Sequence, residues 1–169
     1  MPETALVVVV PEAEPLVSEW RAQYDWSAQR GVPAHITLLY PFAPTETVDD
    51  ELLGRLRTLF VAQPPISFEL ARVARFPEVA WLAPEPSEPF AALTDLIAAR
   101  FPDYPPYEGA HDVVIPHLTV AEGGPELQDQ VEDALTEHLP IAALASDVAF
   151  LFDGDDGLWF EAHRFPLSG

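Results

Sequence analysis

Ala34-His35-Ile36-Thr37-Leu38-Leu39-Tyr40-Pro41-Phe42 and Pro116-His117-Leu118-Thr119-Val120-Ala121-Glu122-Gly123 are the two segments whose reading decides the fold. Each is a His-x-Thr followed by apolar residues, and each reads as a β-strand. Successive strand side chains alternate faces, so the His and Thr of one segment share a side. The chain has five histidines and eight threonines, for which chance supplies only about 0.2 such pairs. Two pairs, each opening an apolar strand, therefore ask for a common cause. Two imidazoles and two hydroxyls facing one cleft make a proton acceptor, a proton donor and two partners for phosphate oxygens.

The surrounding chain narrows the possibilities. A length of 169 residues with 49% hydrophobic residues suits one domain with a proper core. The expectation is a single domain over 1–169 built of two pseudo-symmetric lobes. Net charge is −20, from 28 acidic residues against eight basic ones, all of them Arg. Such a surface repels polyphosphate backbones, so broad nucleic-acid binding is not expected. A small nucleotide, or an RNA end entering a locally positive cleft, is compatible with it. Cysteine is absent, which removes thiol nucleophiles, zinc-thiolate sites and disulfides together. The segment MPETALVVVVPE has no basic stretch, and its apolar run is too short for a signal peptide or a membrane span. The expectation is a cytoplasmic monomer with no membrane partner.

Moving outward from the two motifs, the order of elements recurs. An apolar β-branched strand at 5–10 precedes a helix over Leu16–Ala28 and the first motif. A strand at Val79–Ala83 precedes a helix carrying Phe90, Leu93, Ile97 and Phe101 at helical spacing, then the second motif. Each motif is followed by an acidic amphipathic helix. One begins near Thr47 with Val48, Leu52, Leu56 and Leu59 on a face; the other begins near Pro125 with Leu127, Val131, Leu135 and Leu139. Hairpins then pair Ile66–Arg75 with Val79–Ala83, and Ala145–Phe152 with Leu158–Phe165. Asp153–Gly157 lacks the ligand spacing of a calcium loop and reads as the second hairpin's turn. A duplicated order of this kind often packs about a pseudo-two-fold axis, so that equivalent strands lie opposite each other across a central groove and both motifs face it.

With His35-x-Thr37-Leu38-Leu39-Tyr40, His117-x-Thr119-Val120, their separation of about 80 residues and the duplicated order, nearly the whole chain resembles the 2H phosphoesterase superfamily. The likeness is to bacterial proteins of the 2′-5′ RNA ligase family. That resemblance implies a bilobal α+β fold, two antiparallel sheets flanking a central groove with helices on the outside, and hydrolysis of 2′,3′-cyclic or related cyclic phosphodiesters without metal or other cofactor. It departs in charge. RNA-processing members tend to line the groove mouth with basic residues, whereas the first motif here has only Arg30 nearby and the second has none. Arg72, Arg75 and Arg164 lie on the hairpins.

On this reading His35 and His117 share the acid and base roles, because an unperturbed imidazole titrates near pH 6.5. Thr37 and Thr119 donate to the non-bridging oxygens. Phe42, Tyr104, Tyr107 and Arg30 are the candidates for holding the rest of the substrate, since they sit at strand ends and in loops. Strict alternation turns Tyr40 away from His35 and into the core. His111 and His138 read as solvent-exposed, while His163 shares a strand face with Trp159, Glu161 and Phe165. Two other functions use the same features: a cyclic phosphodiesterase for an ADP-ribose-type substrate, and a phosphate- or nucleotide-binding module without significant catalysis.

Overall fold

The computed structural model describes residues 2–110 and 114–169. The chain runs β1 (Thr4–Val9), α1 (Glu14–Tyr24), α2 (Trp26–Gln29), β2 (His35–Leu39), α3 (Asp50–Val61), β3 (Ile66–Phe76), β4 (Val79–Glu85) and α4 (Glu88–Arg100). It continues with β5 (Leu118–Glu122), α5 (Pro125–Leu135), β6 (Ile141–Ala145), β7 (Asp147–Asp153) and β8 (Trp159–Pro166). Two four-stranded antiparallel sheets result, ordered β2-β1-β7-β8 and β5-β4-β3-β6. In each, the motif-bearing strand is an edge, and its neighbour is the strand that precedes the intervening helix. The sheets are nevertheless interleaved along the chain. The first combines strands from both ends, and the second is drawn entirely from residues 66–145.

Both expected hairpins form, β3 with β4 and β7 with β8. The second closes through a turn in which Gly157 adopts φ +80°, a backbone conformation that a side chain disfavours. Two helices differ from expectation. The helix read over Leu16–Ala28 breaks at Asp25, which is extended and accepts from the Ser27 amide, so it caps a separate short helix. The helix read as far as Leu139 ends at Leu135 and tightens into a 3-10 turn over Thr136–His138, after which Leu139 is extended, as the residue before Pro140 must be. The chain after Pro140 forms β6, an Ala-rich edge strand that its composition does not advertise.

One core spans both sheets. Leu6, Val8, Ile36, Leu38 and Leu39 of the first pack in the same cluster as Phe68, Leu70, Leu82, Leu118 and Val120 of the second. The opposite face of β1 is also apolar: Ala5 and Val7 join Val32, Ala149 and Leu151 beneath Tyr40 and Trp159. The helices bridge crosswise. α1 packs on β5 and α4 on β2, and β2 and β5 approach each other between the sheets. Among the described residues, no helix is long and apolar enough to cross a membrane.

Candidate active site

Each motif strand carries a β-bulge one residue after its Thr. On β2, Val7 pairs with Thr37 and Leu6 with Leu39, so Leu38 is the extra residue. On β5, Trp81 pairs with Thr119 and Ala80 with Ala121, so Val120 is extra. A bulge reverses the alternation beyond it. Leu38 and Leu39 therefore both enter the core, as do Val120 and Ala121. The next residue of each strand returns to the side of the motif Thr. The carbonyl of Leu38, freed from regular pairing, accepts from Thr94 Oγ1 at 2.6 Å.

This device builds a cavity of about 340 Å³ lined by His35, Thr37 and Tyr40 from one sheet and by Val79, Thr119 and Glu122 from the other. The α1–α2 corner adds Asp25, Trp26 and Ser27, and Ala5, Val7, Val32, Leu151 and Trp159 form an apolar wall. His117, just ahead of β5, is not among the residues lining this cavity; it packs edge-on against Phe76 at 5.1 Å and Trp81 at 5.8 Å. It lies close enough for its charge to depress the basicity of His35.

The two histidines are held alike. His35 Nδ1 lies 2.8 Å from the Pro33 carbonyl and His117 Nδ1 lies 2.8 Å from the Ile115 carbonyl, each two residues upstream. A carbonyl only accepts, so the proton of the neutral ring is assigned to Nδ1 and Nε2 keeps its lone pair. Burial lowers His35 to about 4, with Arg21 and His117 acting in the same direction against the Pro33 carbonyl and Asp25. Burial also lowers His117, against the Ile115 carbonyl. Without an anion nearby, both rings are neutral at pH 7.

Beneath His35 lies a buried ion pair. Arg21 donates through Nε to Asp25 at 2.8 Å and through Nη2 to the Val32 carbonyl at 3.0 Å. Asp25 in turn accepts from the Ser27 amide and hydroxyl. The pair fixes the corner that turns Asp25, Trp26 and Ser27 toward the cavity.

The other anticipated residues distribute unevenly. Phe42 is 3% exposed and packs among Phe101, Tyr104 and Phe150. With Tyr104 it borders a separate cleft beside Pro41 and Asp103, so neither lines the histidine cavity. Tyr107 is outside the lining too, although its amide donates to the Tyr40 carbonyl at 2.7 Å. Arg30 stacks 4.3 Å over Trp26 and donates to the Gly157 carbonyl, so it stands beside the cavity. Arg72 pairs with Glu85, Arg75 with Asp129 and Glu132, and Arg164 with Asp147 and Glu161, all away from the lining. Tyr40, read as a core residue, instead lines the cavity, where its ring meets Trp159 edge-on at 5.9 Å and its hydroxyl donates to Glu3. That bond and burial both raise its phenol.

His163 turns toward Phe150 and Phe165, because a further bulge at Ala162 separates its face from that of Trp159. His138 is exposed, and His111 lies outside the described residues. Glu122 and Trp26 were not anticipated. The signal that finds Tyr40 and Glu122 is their shared offset of five residues from each motif histidine. Among the described residues, no three His, Asp or Glu side chains converge as a metal-holding group.

Comparison with known proteins agrees with this fold. The family model of the 2′-5′ RNA ligase superfamily matches residues 9–157. The Shouchella clausii protein named "Putative phosphoesterase ABC1741" is 31% identical over 153 residues, covering 89% of this chain and 88% of that one. "Putative phosphoesterase GK0864" of Geobacillus kaustophilus is 23% identical over 171 residues, covering 96% and 95%. Among solved structures, TT0787 of Thermus thermophilus superposes with a TM-score of 0.67 at 20% identity, over 99% of this chain and 98% of that one. LigT of E. coli complexed with 3′-AMP superposes with a TM-score of 0.64 at 15% identity, over the full length of both.

Proposed function

Because the chain belongs to the 2′-5′ RNA ligase superfamily, we propose that it hydrolyses 2′,3′-cyclic phosphodiesters on a small nucleotide or an RNA end, without metal. The observation that carries this reading is the matched pair of histidines, each presenting a free Nε2 because its Nδ1–H is tied to a carbonyl two residues back. One ring takes the proton of the attacking water. The water oxygen bonds to phosphorus as the P–O3′ bond breaks, and the other ring, protonated, returns a proton to O3′, leaving a 2′-monophosphate. Thr37 and Thr119 donate to the non-bridging oxygens as charge builds on them. That a relative of the same fold, LigT of E. coli, has been crystallised with 3′-AMP supports a nucleotide as ligand.

The test is incubation with a 2′,3′-cyclic nucleotide in excess EDTA. Appearance of the 2′-monophosphate is the expected result. Binding without turnover points instead to a nucleotide-holding module, and activity lost in EDTA but regained with added metal overturns the metal-free step.

The acid limb carries a further expectation. kcat/KM reports the free protein, which needs one imidazole neutral and one protonated. Burial lowers both, His35 to about 4, so the optimum of kcat/KM lies below the ordinary imidazole value of about 6.5. A bound phosphate anion favours the imidazolium, so the alkaline limb of kcat lies at higher pH than that of kcat/KM. Coincident limbs centred at or above pH 7 would contradict the buried geometry.

A further inference from the structure

The bulges place two side chains of opposite character at matching positions: Tyr40 after the first motif and Glu122 after the second. Both line the cavity. Tyr40 completes an apolar, aromatic wall with Val7, Leu151 and Trp159. Glu122 faces it from the other sheet, held there by the Trp26 amide, which donates to Oε1 at 2.7 Å. Asp25 is the second carboxylate in the lining, and among the described residues no arginine lines the cavity. The two arginines on neighbouring elements are already engaged, Arg21 with Asp25 and Arg30 with Trp26 and Gly157.

A phosphate entering this groove meets the His35 ring and the Thr37 and Thr119 hydroxyls in its lining, whereas the Ser27 and Tyr40 hydroxyls already donate to Asp25 and Glu3. A second phosphate on the same molecule meets the Glu122 carboxylate and an apolar wall, since the charge of Asp25 is already met by Arg21, and it does so under the field of a chain of net charge −20. Like charges set against one another across a groove act as selection against the wrong ligand, and because Glu122 is exposed the effect is screened by salt.

Resting on the cyclic-phosphodiesterase reading, we propose that Glu122 is a specificity-determining residue. It restricts the groove to substrates whose only anionic group is the reacting phosphate, with an uncharged ring against Tyr40 and Trp159. Nucleoside cyclic phosphates fit this class; RNA ends, 5′-phosphorylated nucleotides and ADP-ribose-type cyclic phosphates, which carry further phosphate charge, do not, so the proposed function narrows to its small-nucleotide arm.

The experiment compares binding of adenosine 2′-monophosphate and adenosine 2′,5′-bisphosphate by calorimetry, in the wild type and in Glu122→Gln. Glutamine keeps an oxygen to accept the Trp26 amide while removing the charge. The wild type is expected to bind the monophosphate at least about tenfold more tightly, with the preference shrinking as salt is raised. E122Q is expected to narrow that ratio by about threefold or more. An adenosine 2′-monophosphate bearing a neutral 5′-O-methyl group controls for size, and its ratio to the monophosphate is expected to be the same in both proteins. Equal or tighter wild-type binding of the bisphosphate overturns the proposal, as does a ratio unmoved by E122Q. These readouts need no turnover. Failure to hydrolyse cyclic phosphate counts against the catalytic reading, whereas a bisphosphate bound as well as the monophosphate counts against this one.

Discussion

Alanine at His35 or at His117 is expected to lower kcat/KM toward a 2′,3′-cyclic nucleotide by about 10²–10⁴-fold each, the usual contribution of one positioned proton-transfer group. The symmetry of the site makes the two losses similar. Each ring presents the same nitrogen from the same backbone tether, and water attack without a base is as disabling as alkoxide departure without an acid. The double variant is expected to lose little more than either single one, because the groups act on one transition state. Each histidine as a whole residue keeps some contact with solvent and its ring makes one hydrogen bond, so the fold is expected to survive. His117→Ala also gives up edge contacts with Phe76 and Trp81, which limits its stability cost to about 1 kcal/mol. Steady-state kinetics on single and double variants, with circular dichroism as the check on folding, decides the matter. Turnover within tenfold of wild type in both single variants would remove the histidines from the chemistry.

The second large effect is on stability. Asp25→Ala is expected to destabilise the protein by about 3–5 kcal/mol, the range for removing one partner of a buried ion pair. Arg21 is 3% exposed. Without Asp25 its remaining partners are the Val32 carbonyl, the Ser27 hydroxyl and Glu14 at 3.9 Å. The short helix α2 loses its cap in the same substitution. Urea unfolding should show a lower midpoint at an unchanged slope. Adding Arg21→Met to Asp25→Ala should restore part of the loss, since it is the unpaired charge, more than the missing bond, that costs. A loss under 1 kcal/mol would mean that Arg21 reaches water once its partner is gone.

Much of this is legible without coordinates. The hairpins, the four longer helices and the two motif strands follow from periodicity and turn chemistry, because each depends on residues near one another in the chain. What escapes depends on pairing between distant strands. A bulge at Leu38 or Val120 shows up only when the partner strand is known, and each one reassigns every side chain beyond it. Strict alternation sends Tyr40 to the core and His163 to the Trp159 face, and both fail for that single reason. Phe42 reads as a strand-end aromatic free to stack on a base. The cluster of Phe101, Tyr104 and Phe150 that buries it comes from residues 59 to 108 positions away. The break at Asp25 is written in an Asp two residues before a Ser, yet an apolar-periodic stretch hides such a cap.

The interleaving of the two sheets bears on how the protein is made. As the chain leaves the ribosome, the sheet drawn from residues 66–145 has all its strands before β7 and β8 exist. β1 and β2 precede all of those strands, and their sheet is complete only once β7 and β8 follow. The sheet that carries His35 can therefore close only after every strand of the sheet beside His117 has been synthesised.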